Sequence, residues 1–142
     1  MAGFNFNHKP QDVSKIETKF RKICTQIPNP NDIKMLEKAY ELESRSMHGQ
    51  IPIVWDRADD FQVFDAHGNC WIDFTSTIFV SNAGHGNARI KRAVTNVIEK
   101  PLLHTYTYMS QERLDYLDLL IKKTPKQFEK VFMLSAGTEA TE

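Results

Sequence analysis

Four small residues, Ser135-Ala136-Gly137-Thr138, carry the densest chemical signal in this sequence. They follow a run of four apolar residues, Val131-Phe132-Met133-Leu134, which reads as a short strand buried on both faces. Glu139-Ala140-Thr141-Glu142 then reads as a first helical turn. Small side chains let a backbone turn tightly, and a helix start leaves unpaired N–H groups aimed outward. Strand, small-residue turn and helix start in this order make a seat for a phosphate group. The same residues also suit an ordinary strand-to-helix connection with Thr138 as N-cap, so the rest of the chain has to decide.

The totals bound the choice. A chain of 142 residues is by default one domain, and 41% hydrophobic with 11% aromatic residues suits a globular fold. Eighteen basic and eighteen acidic side chains cancel, with no polybasic run that would point to nucleic acid or an anionic membrane. Cys24 and Cys70 have no metal-ligand spacing and read as reduced thiols. The first residues lack an apolar signal core and no long apolar span follows, so the expectation is a cytoplasmic protein.

Several elements must position the turn. Residues 1–11 are polar and read as a loose arm. Ser14 and Glu17 have capping-box spacing, and Ile16, Phe20 and Ile23 predict a helix over Ser14 to Thr25, ended by Pro28 and Pro30. A second helix is predicted from Asn31-Asp32, fading before His48-Gly49. From Ile51 the pattern becomes β-rich. Ile53-Val54-Trp55, Phe61 to Phe64 and Cys70 to Phe74 predict an antiparallel three-strand meander, with Gly68 supplying a positive φ and Trp55 and Trp71 in its core. The stretch Thr75 to Gly86 is too polar for a core strand and too apolar for a free loop, the character of a site-lining segment. Asn87 caps a predicted helix stopped by Pro101, and Ser110 caps another closed by Pro125. His104, Tyr106 and Tyr108 form a polar-aromatic cluster between them, read as packing.

In their order these motifs resemble a known family. Asp65-x-x-Gly68, Trp71-Ile72-Asp73-Phe74, Asn82-Ala83-Gly84-His85 and the closing Ser135 to Glu142 are similar to the N-terminal segment of class III aminotransferases, the 4-aminobutyrate and ornithine type, over about residues 51–142. The resemblance implies an α/β, fold-type-I transferase dependent on pyridoxal 5'-phosphate. Residues 1–50 would be a helical arm, 51–86 a three-stranded meander with a pocket loop, and 87–142 the start of the cofactor-binding large domain and its sheet. It implies that Gly137 and Thr138 donate backbone N–H groups to the cofactor phosphate, with Ala136 beside them where the family often has Ser or Thr. More weakly, it places Ile78 and Val80 in the substrate pocket at a dimer boundary. Ser76 and Thr77 stand where the family has more glycine. His85 is a family hallmark, read as a structural His that ties down its loop, and His67 reads as a turn residue.

The implied reaction moves an amino group from an amino donor (an ω-amino acid or amine) to a 2-oxo acid, in a homodimer. It needs a lysine to form a Schiff base with the cofactor and a carboxylate on the ring nitrogen. Every lysine here lies in a charged or polar stretch, and the family's catalytic pair follows the phosphate turn. The expectation is therefore the front portion of a longer enzyme, inactive alone. An aminomutase of the same fold, or a short non-catalytic interaction protein, are the alternatives.

Overall fold

The computed structural model describes residues 6–142 apart from 103 and 106. The first five residues of the arm, Leu103 and the Tyr106 of the aromatic cluster lie outside the described residues. The chain divides into two units, Met1–Val94 and Thr95–Glu142.

The first unit is built on a five-stranded antiparallel sheet in the order β1-β2-β5-β4-β3. Strands β1 (Ile16–Glu17) and β2 (Lys22–Ile23) form a hairpin where a helix over Ser14 to Thr25 was expected. The reason is local: the Thr18 hydroxyl accepts from the amides of Phe20 (3.4 Å) and Arg21 (3.0 Å), and the Thr18 amide bonds the Arg21 carbonyl. A hydroxyl that closes a turn in this way competes with helix hydrogen bonding. The three- and four-residue apolar spacing is satisfied instead by burying Ile23 and packing Phe20 edge-on against Phe61, 5.3 Å between centroids.

A 3-10 turn at Pro30–Asp32, capped by Asn29, leads into α1 (Ile33–Leu42), so the second predicted helix is present. A further 3-10 turn, Arg45–Met47, follows it. The meander is also present, with its first strand displaced: β3 is Arg57–Asp59, β4 Gln62–Phe64 and β5 Cys70–Ile72. Asp59 pairs with Gln62, leaving a two-residue loop. Loops of that length need positive φ, and Asp60 supplies it at 48°. Ile53-Val54-Trp55, expected as a strand, precedes β3 as irregular chain, and Trp55 is 42% exposed rather than part of a core. Its apolar run measured hydrophobicity, whereas pairing was decided by the turn.

At the β4–β5 turn Gly68 has φ +90°, as anticipated. The Asp65 carboxylate accepts from the amides of His67 (2.9 Å) and Asn69 (2.8 Å) across it. Among the described residues the buried set is small and mixed: Ile23, Val63 and Cys70 with Asn29, Asp65 and Asn69, and the prolines Pro28 and Pro52. Asn69 is fully buried and ties three segments together. Its Oδ1 accepts from the amides of Cys24 (2.7 Å) and Thr25 (3.2 Å), while its Nδ2 donates to Thr25 Oγ1 and Asp65 Oδ2, each at 2.6 Å. His67 is more than a turn residue, since its Nε2 lies 2.9 Å from Asp32 Oδ1 just ahead of α1.

After β5 comes a single turn, α2 (Ser76–Phe79), and then α3 (Ala88–Ile98), whose Asn87 side chain accepts from the amides of Arg89 and Ile90. In the second unit α4 (Gln111–Lys123) starts at the expected cap, Ser110, whose hydroxyl accepts from Arg113 N at 3.3 Å. A short helix, α5 (Gly137–Thr141), ends the chain. Val131–Leu134, expected as a strand opening a second sheet, is irregular, and neither α4 nor α5 has a buried residue. A strand exists by pairing, and the described residues offer it no partner. Every ladder observed is antiparallel.

Candidate functional site: a phosphate-type turn and a clamped left-handed loop

In the second unit, Ala136, Gly137 and Thr138 come together at the start of α5. Ala136, in extended conformation, is the N-cap, so Thr138 is not the cap but the second residue of the helix. Ala136 has no side-chain acceptor to spend on the helix start. Instead the Glu139 carboxylate folds back and accepts from the amides of Ser135 (3.1 Å) and Ala136 (3.2 Å). The amides of Gly137 and Thr138 have no acceptor among the described residues, as befits the first two helical positions. A Cβ built on Gly137 would meet no heavy atom within 4 Å, so the side-chain side of this residue is uncrowded.

These features fit a phosphate end. Two successive residues of one turn have amides without acceptors among the described residues, the second of them carries a hydroxyl, and no heavy atom lies within 4 Å of a Cβ built on the glycine. Because α5 has only five residues, attraction comes from these donors more than from a macrodipole. A groove of about 800 Å³ adjoins the turn, lined by Arg113, Tyr116, Leu117 and the Val131–Ser135 segment.

In the first unit the loop after β5 is organised by one carboxylate. Asp73 Oδ1 accepts from Thr75 N (2.9 Å), Thr75 Oγ1 (2.6 Å) and Ser76 N (3.0 Å), and Oδ2 accepts from His85 Nε2–H at 2.8 Å. Burial pushes the Asp73 carboxyl up. The hydrogen bonds from Thr75, His85 and the Ser76 amide outweigh it and hold the group below its ordinary value. The loop it clamps is unusual, with Ser76, Thr77, Ile78 and Phe79 all left-handed at φ of 48°, 48°, 57° and 64°. For L-residues this region costs about 1–2 kcal/mol each, whereas a hydrogen bond to a charged acceptor contributes about 1.5–3 kcal/mol. The clamp is therefore of the size needed to hold the turn.

Ile78 and Val80 sit together on this turn, 77% and 80% exposed, with Phe79 between them at 77%. They belong to the first unit, and Ala136, Gly137 and Thr138 to the second. His85 has the structural role expected of it. Besides its bond to Asp73, its backbone exchanges two hydrogen bonds with Asp60 (2.6 and 3.0 Å), and its ring meets Trp55 edge-on at 6.1 Å. Asp73 was not singled out from sequence. Its signal was an Asp two and three residues ahead of Thr75 and Ser76, the spacing of a side chain that caps the following turn. Among the described residues no cluster of His, Cys, Asp and Glu could hold a metal ion, and no helix is long and apolar enough to cross a membrane.

Comparison with known proteins shows the family. The family model for class-III aminotransferases matches residues 44–142. An acetylornithine aminotransferase of Clostridium acetobutylicum is 29% identical over 107 residues, covering 75% of this chain and 26% of the relative. A 4-aminobutyrate aminotransferase of Escherichia coli is 35% identical over 98 residues, covering 66% and 23%. A [LysW]-aminoadipate semialdehyde transaminase of Deinococcus radiodurans is 27% identical over 114 residues, covering 80% and 26%. No solved structure gives a significant match. The chain belongs to the class-III aminotransferase family, of whose curated members it spans about a quarter of the length.

Proposed function

We propose that this chain carries the cofactor-phosphate turn and part of the substrate wall of a pyridoxal-phosphate-dependent aminotransferase, acting between an amino donor (an ω-amino acid or amine) and a 2-oxo acid. The observation that carries the proposal is the pair of amides at Gly137 and Thr138, free of acceptors among the described residues, at a glycine whose built Cβ meets no heavy atom within 4 Å. Gly137 and Thr138 would donate their backbone N–H groups to the phosphate, Thr138 adding its hydroxyl, and Ala136 lines the turn through its backbone alone. Bound there, pyridoxal 5'-phosphate supplies the electron-withdrawing ring on which such enzymes exchange an amino group.

Ile78 and Val80 are assigned to the wall of the substrate pocket, on a surface that a second copy of the chain covers in a homodimer. Their exposure and apolar character support that assignment. The lysine that would bond the cofactor is not assigned to this chain. Every lysine in it is exposed, whereas the reaction needs a shielded amine, so the 142 residues alone are proposed to be inactive in transfer. Two free cysteines suit a reducing, cytoplasmic setting.

The test is a titration of the ¹⁵N-labelled chain with pyridoxal 5'-phosphate and, separately, with pyridoxal. The expected outcome is a selective shift of the Gly137 and Thr138 amide signals by the phosphorylated compound. Equal responses to both compounds, or none at these two amides, would overturn the assignment.

A further inference from the structure

We infer that Asp73 is a positioning residue whose carboxylate, with His85 as its second anchor, holds Ser76–Phe79 in the left-handed turn that displays Ile78 and Val80. The consequence for a substrate rests on the proposed role of those two side chains; the positioning itself does not.

Four consecutive left-handed residues without a glycine are not a conformation this sequence would choose locally, least of all at β-branched Thr77 and Ile78. Packing does not impose it either, because Ile78, Phe79 and Val80 are each more than three-quarters exposed. What remains is hydrogen bonding: the turn's own backbone bonds, from Phe79 N to Thr75 O (3.2 Å) and from Val80 N and Ser81 N to Ser76 O (2.9 Å each), and the polar frame at the two ends of the loop that must set their hand. At the entrance, Thr75 and Ser76 give three hydrogen bonds to Asp73 Oδ1, whose side chain is 2% exposed and so shielded from competing water. At the exit, His85 donates to Asp73 Oδ2 and is itself fixed by its backbone pair with Asp60. Gly84, at φ +85°, lets the chain pass so close that a Cβ would stand 2.5 Å from Asp60 Oδ1. Inside the loop, the hydroxyls of Thr77 and Ser81 meet at 2.6 Å. One carboxylate thus joins both ends of a strained segment, and its two oxygens divide the work: Oδ1 sets the turn and Oδ2 sets the return.

This division makes the inference testable by NMR on the labelled 142-residue chain with no cofactor present. The wild type is expected to show positive-φ couplings at residues 76–79 and a His85 ring protonated at Nε2. Asp73→Ala should abolish the positive-φ signature and speed amide exchange at Thr75 and Ser76 by about tenfold, with Val63 and Trp71 signals in place. Asp73→Asn keeps an oxygen for the turn but turns an amide donor toward His85. The turn should persist while the ring switches to the Nδ1–H tautomer, a change that general loosening does not produce.

A positive-φ signature that survives Asp73→Ala, or is absent from the wild type, would overturn the inference. So would an Asp73→Asn variant that loses the turn with the Nε2–H tautomer intact. Should Asp73→Ala unfold the sheet, Thr75→Val decides, since it removes the 2.6 Å hydroxyl donor to Asp73, together with the long 3.3 Å acceptor of the Thr77 amide, and leaves the Ser76 amide bond to Asp73 in place. Faster exchange at Ser76 supports the clamp, and unchanged exchange refutes it. Failure of pyridoxal 5'-phosphate to shift Gly137 and Thr138 would leave all these readouts unchanged, so the two proposals fail separately.

Discussion

Truncating Asn69 is the most demanding test of how the first unit is held together. Asn69→Ala deletes four side-chain hydrogen bonds from a residue with no exposed surface. Three involve neutral partners, each contributing about 0.5–1.5 kcal/mol, and the fourth involves the Asp65 carboxylate, about 1.5–3 kcal/mol. The amides of Cys24 and Thr25 and the buried Asp65 are then left to find other partners. A loss of about 3–5 kcal/mol is expected once water entering the vacated space recovers part of the total. Domains of this kind hold about 5–15 kcal/mol, so the variant would stand near its stability limit. Urea unfolding followed by tryptophan fluorescence is the assay, and both tryptophans, Trp55 and Trp71, lie in this unit. Asn69→Asp is the control. It keeps an oxygen for the two amides but sets a second carboxylate against Asp65, so its defect should shrink as pH falls. A loss below about 1 kcal/mol for Asn69→Ala, at unchanged denaturant slope, would refute the view that this carboxamide ties β2 to the β4–β5 turn.

Two glycines should behave oppositely. Gly84→Ala places a Cβ 2.5 Å from Asp60 Oδ1 at φ +85° and is expected to cost about 2 kcal/mol in the same unfolding assay. Gly137→Ala meets no heavy atom within 4 Å, so stability should change by less than about 0.5 kcal/mol while the phosphate-specific amide shift weakens. The third prediction concerns pH. Hydrogen bonding to Asp32 raises the His67 pKa; burial opposes it, and the charges of Asp32 and Asp65 add to the rise. A raised folded-state value means the stabilisation is complete below the unfolded pKa of about 6.5 and lost as pH rises through the folded value. Urea midpoints of the wild type should therefore fall from mildly acid to mildly alkaline pH by more than those of His67→Gln. Parallel curves would show that the His67–Asp32 contact contributes nothing.

Much of the architecture was legible because its signals were local. Asn87 and Ser110 cap the helices they precede, Gly68 takes the positive φ its turn needs, and Cys70 is buried. The failures have a common cause. Ile16, Phe20 and Ile23 carry a helical spacing, but a threonine hydroxyl closes a turn between them, and a pattern count does not see a hydroxyl. Val131–Leu134 is apolar enough for a strand, yet strands are made by partners and the described residues supply none. At the candidate site, grouping Ala136, Gly137 and Thr138 required only contiguity. The Glu139 carboxylate folding back onto Ser135 and Ala136 required coordinates. The left-handed turn was the least legible feature, because Ser76 and Thr77 do not advertise it and the residue that enforces it, Asp73, lies outside it.

The outward placement of every lysine bears on how this polypeptide would meet a reactive aldehyde. Each amine would be reachable and none sheltered, so any carbon–nitrogen bond formed would stand in bulk water and be open to hydrolysis. Yellow colour after mixing would then report scattered surface chemistry, removable by dialysis. Retention of the aldehyde would have to come from its anionic tail.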